Sequence, residues 1–428
     1  MVVRKLTRHM SRHHDVNWAL IDQAVVSGGN FITTLFIARG LGIDEFGRFT
    51  LAWMVVLFTA SLHAASIAAP MMAIGPKQEP EDEPGYYGAV ILQHAGFAIV
   101  AGLIAGSLVA TSAIFFPDWG TSGLALPVAL ATIAHQTQEG LRRYFFARGR
   151  PNHAFVNSVC RFIPQVIIVA LLSTVWTADI LDVLWVIILC AAFSVLIGTT
   201  HLGAVTFHYR DFCLALGRHW QAARWLTPSA ALEWAAANLM IIIAGALLGV
   251  TAVGALRATQ QLMGLAQIFS MAFNNAIQPQ ASRVLHDTGA KGLHRYILRS
   301  LTMGTGITII LILIACVAPT FWLDLVYGEK YVSYHALVWW WAGYYILSFI
   351  SLNQYIALRS LEITHGIFTG RVLATIISCS LAYPLIQWWG TLGAIVAAIL
   401  SLVGLVAALA YAYRRAMAKT IERSASAA

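Results

Sequence analysis

The sequence predicts an all-α integral membrane protein of about twelve transmembrane helices, in two parallel six-helix bundles around a central cavity. Three observations lead there. Of 428 residues, 59% are hydrophobic and 11% charged, with a mean hydropathy of +0.71, more apolar surface than a soluble core needs. Apolar windows long enough to cross a hydrocarbon core, about 20 residues each, recur along the whole chain. Of the 27 Lys and Arg residues, 22 fall into alternate gaps between those windows. Cytoplasmic loops retain cations, so these gaps mark the cytoplasm and both termini lie on that side.

In chain order, the expected spans lie near 18–38, 48–73, 87–112, 122–147, 153–176, 180–206, 225–249, 252–282, 293–319, 334–358, 366–388 and 391–413. Aromatic residues collect at their ends, with Trp119, Trp176, Trp322, Trp388 and Trp389 outside and Trp18, Tyr86, Tyr87, Tyr144, Trp220 and Trp225 inside. Residues 1–16 are basic and read as a retained amphipathic helix on the cytoplasmic surface, since no short apolar stretch with a cleavage motif follows them. Residues 17–207 form the first six-helix lobe and 208–224 a polar cytoplasmic linker. Residues 225–414 form the second lobe and 415–428 a cytoplasmic tail.

Composition also excludes classes. A pI near 9.4 raises nucleic acid as a partner, but the basic residues are scattered over seven cytoplasmic segments rather than gathered on one domain. Five cysteines, odd in number and mostly inside apolar runs, give neither a disulfide framework nor zinc spacing. The 14 histidines show no metal-ligand spacing, and no Gly-rich phosphate loop ends in Gly-Lys-Ser/Thr, so no metal, cofactor or nucleotide engine is expected.

The halves share a trace of sequence. Leu41-Gly42-Ile43-Asp44-Glu45-Phe46-Gly47-Arg48-Phe49 is echoed by Leu248-Gly249-Val250-Thr251-Ala252-Val253-Gly254-Ala255-Leu256, at the first turn of each half. An even number of spans between the copies implies a parallel repeat. Gly42 and Gly47 each suit a tight turn between helices, where a Cβ would obstruct positive φ or close approach.

Polar side chains inside the spans mark where an interior lies, because facing lipid leaves them unsatisfied. Gln23, Ser27, Asn30 and Thr34 share one face of the first span, with Asp22 beside them, and Thr59, His63, Ser66 and Pro70 repeat that spacing on the second. Arg257, Gln260, Gly264, Gln267, Met271, Asn274 and Gln278 form a face along the eighth, and the fourth adds His135, Gln138, Glu139 and Arg142. Single Ser or Thr residues read as glue between helices, whereas matched stripes in both halves suggest a hydrated cavity.

Asp22, Glu139, Arg161 and Glu233 are charges well inside spans, where each is costly without a partner or water. Glu139 and Arg161 flank Pro151 at similar distances, so an antiparallel hairpin brings them to one depth as a buried ion bridge. Asp22 and Glu233 are either structural partners of nearby cations or sites for a coupling proton or Na⁺. Arg39, Arg48 and Arg257 are expected near the outer mouth of the cavity, where guanidinium suits phosphate oxygens. Arg39 and Arg48 also lie within reach of Asp44 and Glu45, so Arg257 is the leading ligand candidate.

At Ile37-Ala38-Arg39-Gly40-Leu41-Gly42-Ile43-Asp44-Glu45-Phe46-Gly47-Arg48-Phe49, preceded by Asp22-Gln23 and Asn30-Phe31, the chain resembles the polysaccharide flippase family. That family belongs to the multidrug, oligosaccharidyl-lipid and polysaccharide (MOP) exporter superfamily. The resemblance implies a V-shaped pair of six-helix bundles whose cavity opens alternately to each side of a bacterial inner membrane. It implies no enzymatic chemistry. The implied cargo is a polyprenyl-pyrophosphate-linked oligosaccharide, with membrane lipids around it and a polysaccharide polymerase and glycosyltransferases as protein partners. The diphosphate role falls on Arg39, Arg48 and Arg257, and the second-half echo departs from the motif by losing its Arg and acidic pair.

Two competing readings remain. A proton- or sodium-coupled drug or metabolite antiporter fits the same architecture and would use Asp22, although a lumen displaying Arg257 disfavours cationic drugs. A membrane enzyme acting on the same lipid would need large loops with catalytic residues, and the longest loops, near 75–86 and 208–224, are short.

Overall fold

A computed structural model of the chain describes residues 2–175, 178–361 and 363–426. The side chains of 2–16 and 418–426, and Trp176, lie outside the described set, and with them the amphipathic character expected for 1–16 and most of the basic tail. Among the described residues there is no strand, and the all-α membrane class stands. Among the described residues, eight helices are long and apolar enough to cross a membrane.

The chain divides into two compact units, residues 1–234 and 235–428. In the first, α1 (Val2–Leu41) runs unbroken to Gly42, whose φ of 86° and ψ of 176° starts α2 (Ile43–His63). A π-helical segment (Ala64–Ala68) then leads to α3 (Ala69–Ile74). Pro70 accounts for the wider turn: it donates no N–H, and its ring would collide with the carbonyl four residues back in a regular helix.

Helix α4 (Glu83–Phe115) packs against α5 (Ala125–Ala147) through Gly102 and Gly106, which face Ala129, Ile133 and Ala125. Small residues let helix backbones approach where no hydrophobic drive distinguishes protein from lipid. Helix α6 (Pro151–Val175) packs on α1, Gly29 resting on Phe162 and Gly40 on Ser173. Helix α7 (Ile180–Thr199) lies against both α5 and α6 and is N-capped by Asp179 in a capping box with Asp182.

The stretch expected to be a polar linker, 208–224, is instead the start of helix α8 (Tyr209–Leu248). It is amphipathic. Ala215 and Ala223 are buried and Tyr86 bonds His219 at 2.9 Å, so this end docks on the first unit. The boundary between units accordingly falls inside α8, between Trp234 and Ala235.

In the second unit, Gly249 (φ 84°, ψ −179°) starts α9 (Val250–Gln261), nearly the same backbone as Gly42. The echo between the halves thus corresponds to one repeated conformation. Gly47 differs from expectation: like Gly254 at the matching position, it is buried inside a helix and makes no turn. Helix α10 (Gly264–Cys316) bends at Gly289 (φ 68°), and α11 (Pro319–Tyr327), α12 (Ala336–Ser360) and α13 (Thr364–Ser426) follow. Helix α13 bends at Gly390 (φ 57°), and α12 packs on both α10 and α13.

With α10 and α13 each taken as two arms, the helices fill all twelve expected windows. Helices α5 and α12, with 23 and 25 residues, fall outside the apolar eight but have the length to span. The eighth window holds α9 and the first arm of α10, separated at Leu262-Met263. There Met263 N–H bonds the Gln260 carbonyl three residues back, a tightened turn that breaks the expected full-length polar face after Gln261.

Candidate functional site

The first unit holds a buried polar network contributed by α1, α2, α5, α6 and α7. At its centre is Asp22, fully buried. Arg142 Nη1 donates to its Oδ2 at 2.5 Å and Ser158 Oγ to its Oδ1 at 2.5 Å. Arg142 also grips Glu139, through Nε at 2.8 Å and Nη2 at 2.9 Å, and Arg143 Nε reaches the same carboxylate at 2.7 Å. Two carboxylates and two guanidiniums balance there, which is the condition for keeping charge out of water.

Beside it, Arg161 is 1% exposed and belongs to a different set of bonds. Its Nη1 donates to Gln138 Oε1 at 2.5 Å and its Nη2 to His135 Nδ1 at 2.9 Å, and its guanidinium lies 4.8 Å from the Phe162 ring centroid. Gln138 passes a bond to Asn157 at 2.9 Å, and Asn157 and the Ser194 backbone and hydroxyl exchange two more. The expected Glu139–Arg161 bridge is therefore not the pairing formed. The hairpin does bring α5 and α6 level, but Glu139 lies three and four residues from Arg142 and Arg143 on its own helix, and those neighbours take it. The two residues share no hydrogen bond but interact through space, so Glu139→Ala and Arg161→Ala should depart from the sum of their separate effects on stability by about 0.5–1 kcal/mol, less than a directly bonded pair can. A double-mutant cycle on the apparent melting temperature of the purified chain would expose coupling as a departure from that sum.

The other candidate residues scatter in role. His63 is buried in contact with His94 and lines no exposed face. Gln23 is exposed and bonds Ser27 at 3.0 Å, and Asn30 is half-buried, its carbonyl accepting from Thr34. Arg48 pairs with Glu45 at 2.6 Å, the local pairing open to it in the sequence, while Arg39 and Glu233 are exposed. In the second unit, Arg257 is half-buried and donates to Gln260 Oε1 and Asn238 Oδ1, both at 2.9 Å. Gln267 is exposed and accepts from Tyr345 at 3.5 Å, and Gln278 reaches Ser360 on α12 at 3.4 Å, so the lower part of that stripe serves partly as glue between helices.

Two guanidiniums stand apart from the rest. Among the described residues, neither Arg161 nor Arg257 has a carboxylate within ion-pairing distance, and each is held by neutral amide or imidazole acceptors. Arg161 in the first unit and Arg257 in the second are thus guanidiniums away from full exposure that neutral acceptors hold in place. Sequence reasoning missed Asn157, Ser158, Gln165 and Ser194. The signal was there: Asn157, Arg161 and Gln165 repeat every fourth residue on α6, and Gln165 bonds Thr33 of α1 at 3.0 Å.

No protein-family model matches the chain, and no curated protein matches it in sequence. Its fold does match solved structures. An inward-facing multidrug resistance MATE family transporter of the MOP superfamily aligns with a TM-score of 0.73 at 12% identity, covering 96% of this chain and all of that one. The lipid II flippase MurJ in an inward closed conformation gives 0.65 at 12% identity, over 95% of this chain and 90% of that one. The Vibrio cholerae MATE transporter VcmN in its bent form gives 0.61 at 14% identity, over 96% and 97%. The chain is a multi-pass membrane protein with the helical-bundle fold of the MOP transporters. A fold common to MATE proteins and MurJ leaves the cargo to be argued from this chain's own side chains.

Proposed function

We propose that the chain is a flippase that moves a polyprenyl-pyrophosphate-linked oligosaccharide or polysaccharide precursor across a bacterial inner membrane by alternating access, with both termini in the cytoplasm. The observation that carries this reading is Arg257. Two amide oxygens orient its guanidinium without neutralising it, which leaves a fixed, half-buried cation. Guanidinium matches two oxygens of a diphosphate in bidentate fashion, and a site already positive repels a cationic drug. Arg39 and Arg48, although Arg48 is paired with Glu45, remain candidates for an outer contact with the same group.

The pairing of Asp22 supports the same choice. A cation-coupled antiporter would draw on a carboxylate free to exchange its ion, whereas Asp22 is fully buried between Arg142 and Ser158. Membrane lipids, a polymerase and glycosyltransferases are the partners this reading supplies.

The test is translocation of a fluorescent polyprenyl-diphosphate oligosaccharide in proteoliposomes, read by quenching of the outer leaflet. Arg257→Ala should slow it about tenfold or more, equivalent to ~1.4 kcal/mol of lost substrate interaction, at unchanged expression and elution profile. Wild-type rates in that variant would remove Arg257 from the substrate role. Proton-driven export of a cationic dye without lipid movement would overturn the flippase reading in favour of an antiporter.

A further inference from the structure

We infer that His135, backed by Arg161, is a substrate-contacting residue of the first unit, its Nε2–H donating to a phosphoryl oxygen of the translocated lipid diphosphate. This rests on the flippase reading above and gives a role to His135, which the sequence places on the fourth span's polar stripe without one. The argument begins with a proton. Arg161 Nη2 lies 2.9 Å from His135 Nδ1, and a guanidinium has donors only, so Nδ1 must offer its lone pair and the ring proton sits on Nε2. A cation donating to one nitrogen of an imidazole withdraws electron density from the ring and makes the opposite N–H a stronger donor, most of all toward an anion.

The ring is held from both sides. Trp53, stacked on Phe49 at 5.6 Å, meets it edge-to-face at 5.6 Å and 81°, while Arg161 is itself fixed by Gln138 and by the Phe162 ring. His135 is only half-buried, and among the described residues its Nε2 has no hydrogen-bond partner. Trp53 and His135 both sit midway along their helices, α2 and α5. A polar donor left open at mid-span faces either lipid, at a cost, or a ligand, and transporter sites lie at that depth. Arg161, unneutralised and 1% exposed, gives the contact its preference for negative charge.

His135→Asn and His135→Gln separate a ligand role from a structural one. Asn places its carbonyl near the former Nδ1 and preserves the bond from Arg161 while removing the outer donor. Gln places its amide NH₂ near the former Nε2 and restores that donor. The probes are farnesyl diphosphate and inorganic pyrophosphate, titrated against the full-length protein in nanodiscs, with the melting temperature recorded for each variant.

His135→Asn should weaken binding of farnesyl diphosphate about tenfold while melting near wild type, and His135→Gln should stay within about threefold. Pyrophosphate, which presents the same oxygens without the lipid, should bind more weakly and lose the same factor in His135→Asn. Unchanged binding in His135→Asn, alongside a loss in Arg257→Ala, overturns the His135 assignment alone. Binding that is rescued by Asn and not by Gln reduces His135 to a support for Arg161. A wild-type protein that binds neither probe overturns both this inference and the flippase reading, and pyrophosphate binding as tightly as the lipid assigns the contact to a soluble diphosphate.

Discussion

Replacing Arg142 with Met is expected to lower stability by ~3–5 kcal/mol, the largest effect of any single substitution considered for this chain. The residue serves two carboxylates at once, Asp22 at 2.5 Å and Glu139 at 2.8 Å, and Asp22 is fully buried. Without Arg142, Asp22 keeps only the Ser158 hydroxyl, and an ionised carboxylate left in a low-dielectric interior is among the costliest changes a core can suffer. On the scale of a soluble domain, that loss lowers the melting temperature by roughly 6–20 °C. The measurement is the midpoint of thermal aggregation, followed by size exclusion of the detergent-solubilised chain. Adding Asp22→Asn to Arg142→Met removes the stranded charge and should recover a large part of the loss, because Glu139 retains Arg143 at 2.7 Å. A single variant that melts like wild type, or a double variant that melts below it, would show that the pair does not hold α1 to α5.

Gly42→Ala and Gly249→Ala form the second prediction, each expected to cost about 1–3 kcal/mol. Both glycines combine φ near 85° with an extended ψ, at 86°/176° and 84°/−179°, a region that is sterically closed to residues with a Cβ. Around Gly249 there is open space for a methyl group, so the penalty there is conformational rather than steric crowding. Gly47→Ala and Gly254→Ala provide the contrast. These two lie in helices, where glycine has no conformational advantage, so any cost comes from packing. Comparable melting temperatures for Gly249→Ala and wild type would refute the strained turn and, with it, the repeated conformation that relates the halves.

That repeat shows how far a short echo can be read. A nine-residue likeness between 41–49 and 248–256 identified two equivalent turns because only glycine tolerates the backbone they require. The kinks at Gly289 and Gly390 also fall in gaps expected between spans, since an apolar run long enough to cross twice must turn somewhere. The partner of Glu139 was less accessible. Hairpin geometry brings α5 and α6 level, but a displacement of one turn, or a rotation about the helix axis, redirects a carboxylate from Arg161 to Arg142 and Arg143. The helix within 208–224 was hidden for a related reason. Residues 209–224 read as polar in sum, yet Phe212, Ala215, His219 and Ala223 recur at helical spacing on a face that docks on the first unit, and the helix continues through Pro228 to Leu248.

Hydropathy, charge bias and glycine placement suffice to establish a multispanning helical protein in two related halves, because crossing a bilayer imposes one rule on every span: each segment must satisfy its own backbone and present an apolar exterior. Which buried charges neutralise one another is settled at a finer scale. Asp22 with Arg142, and Arg161 with Gln138 and His135, depend on helix rotations of a fraction of a turn and on side-chain reach across packed faces. Those choices belong to the packing of α1, α5 and α6 together, and they leave Arg161 buried among neutral partners while Arg142 takes the carboxylates.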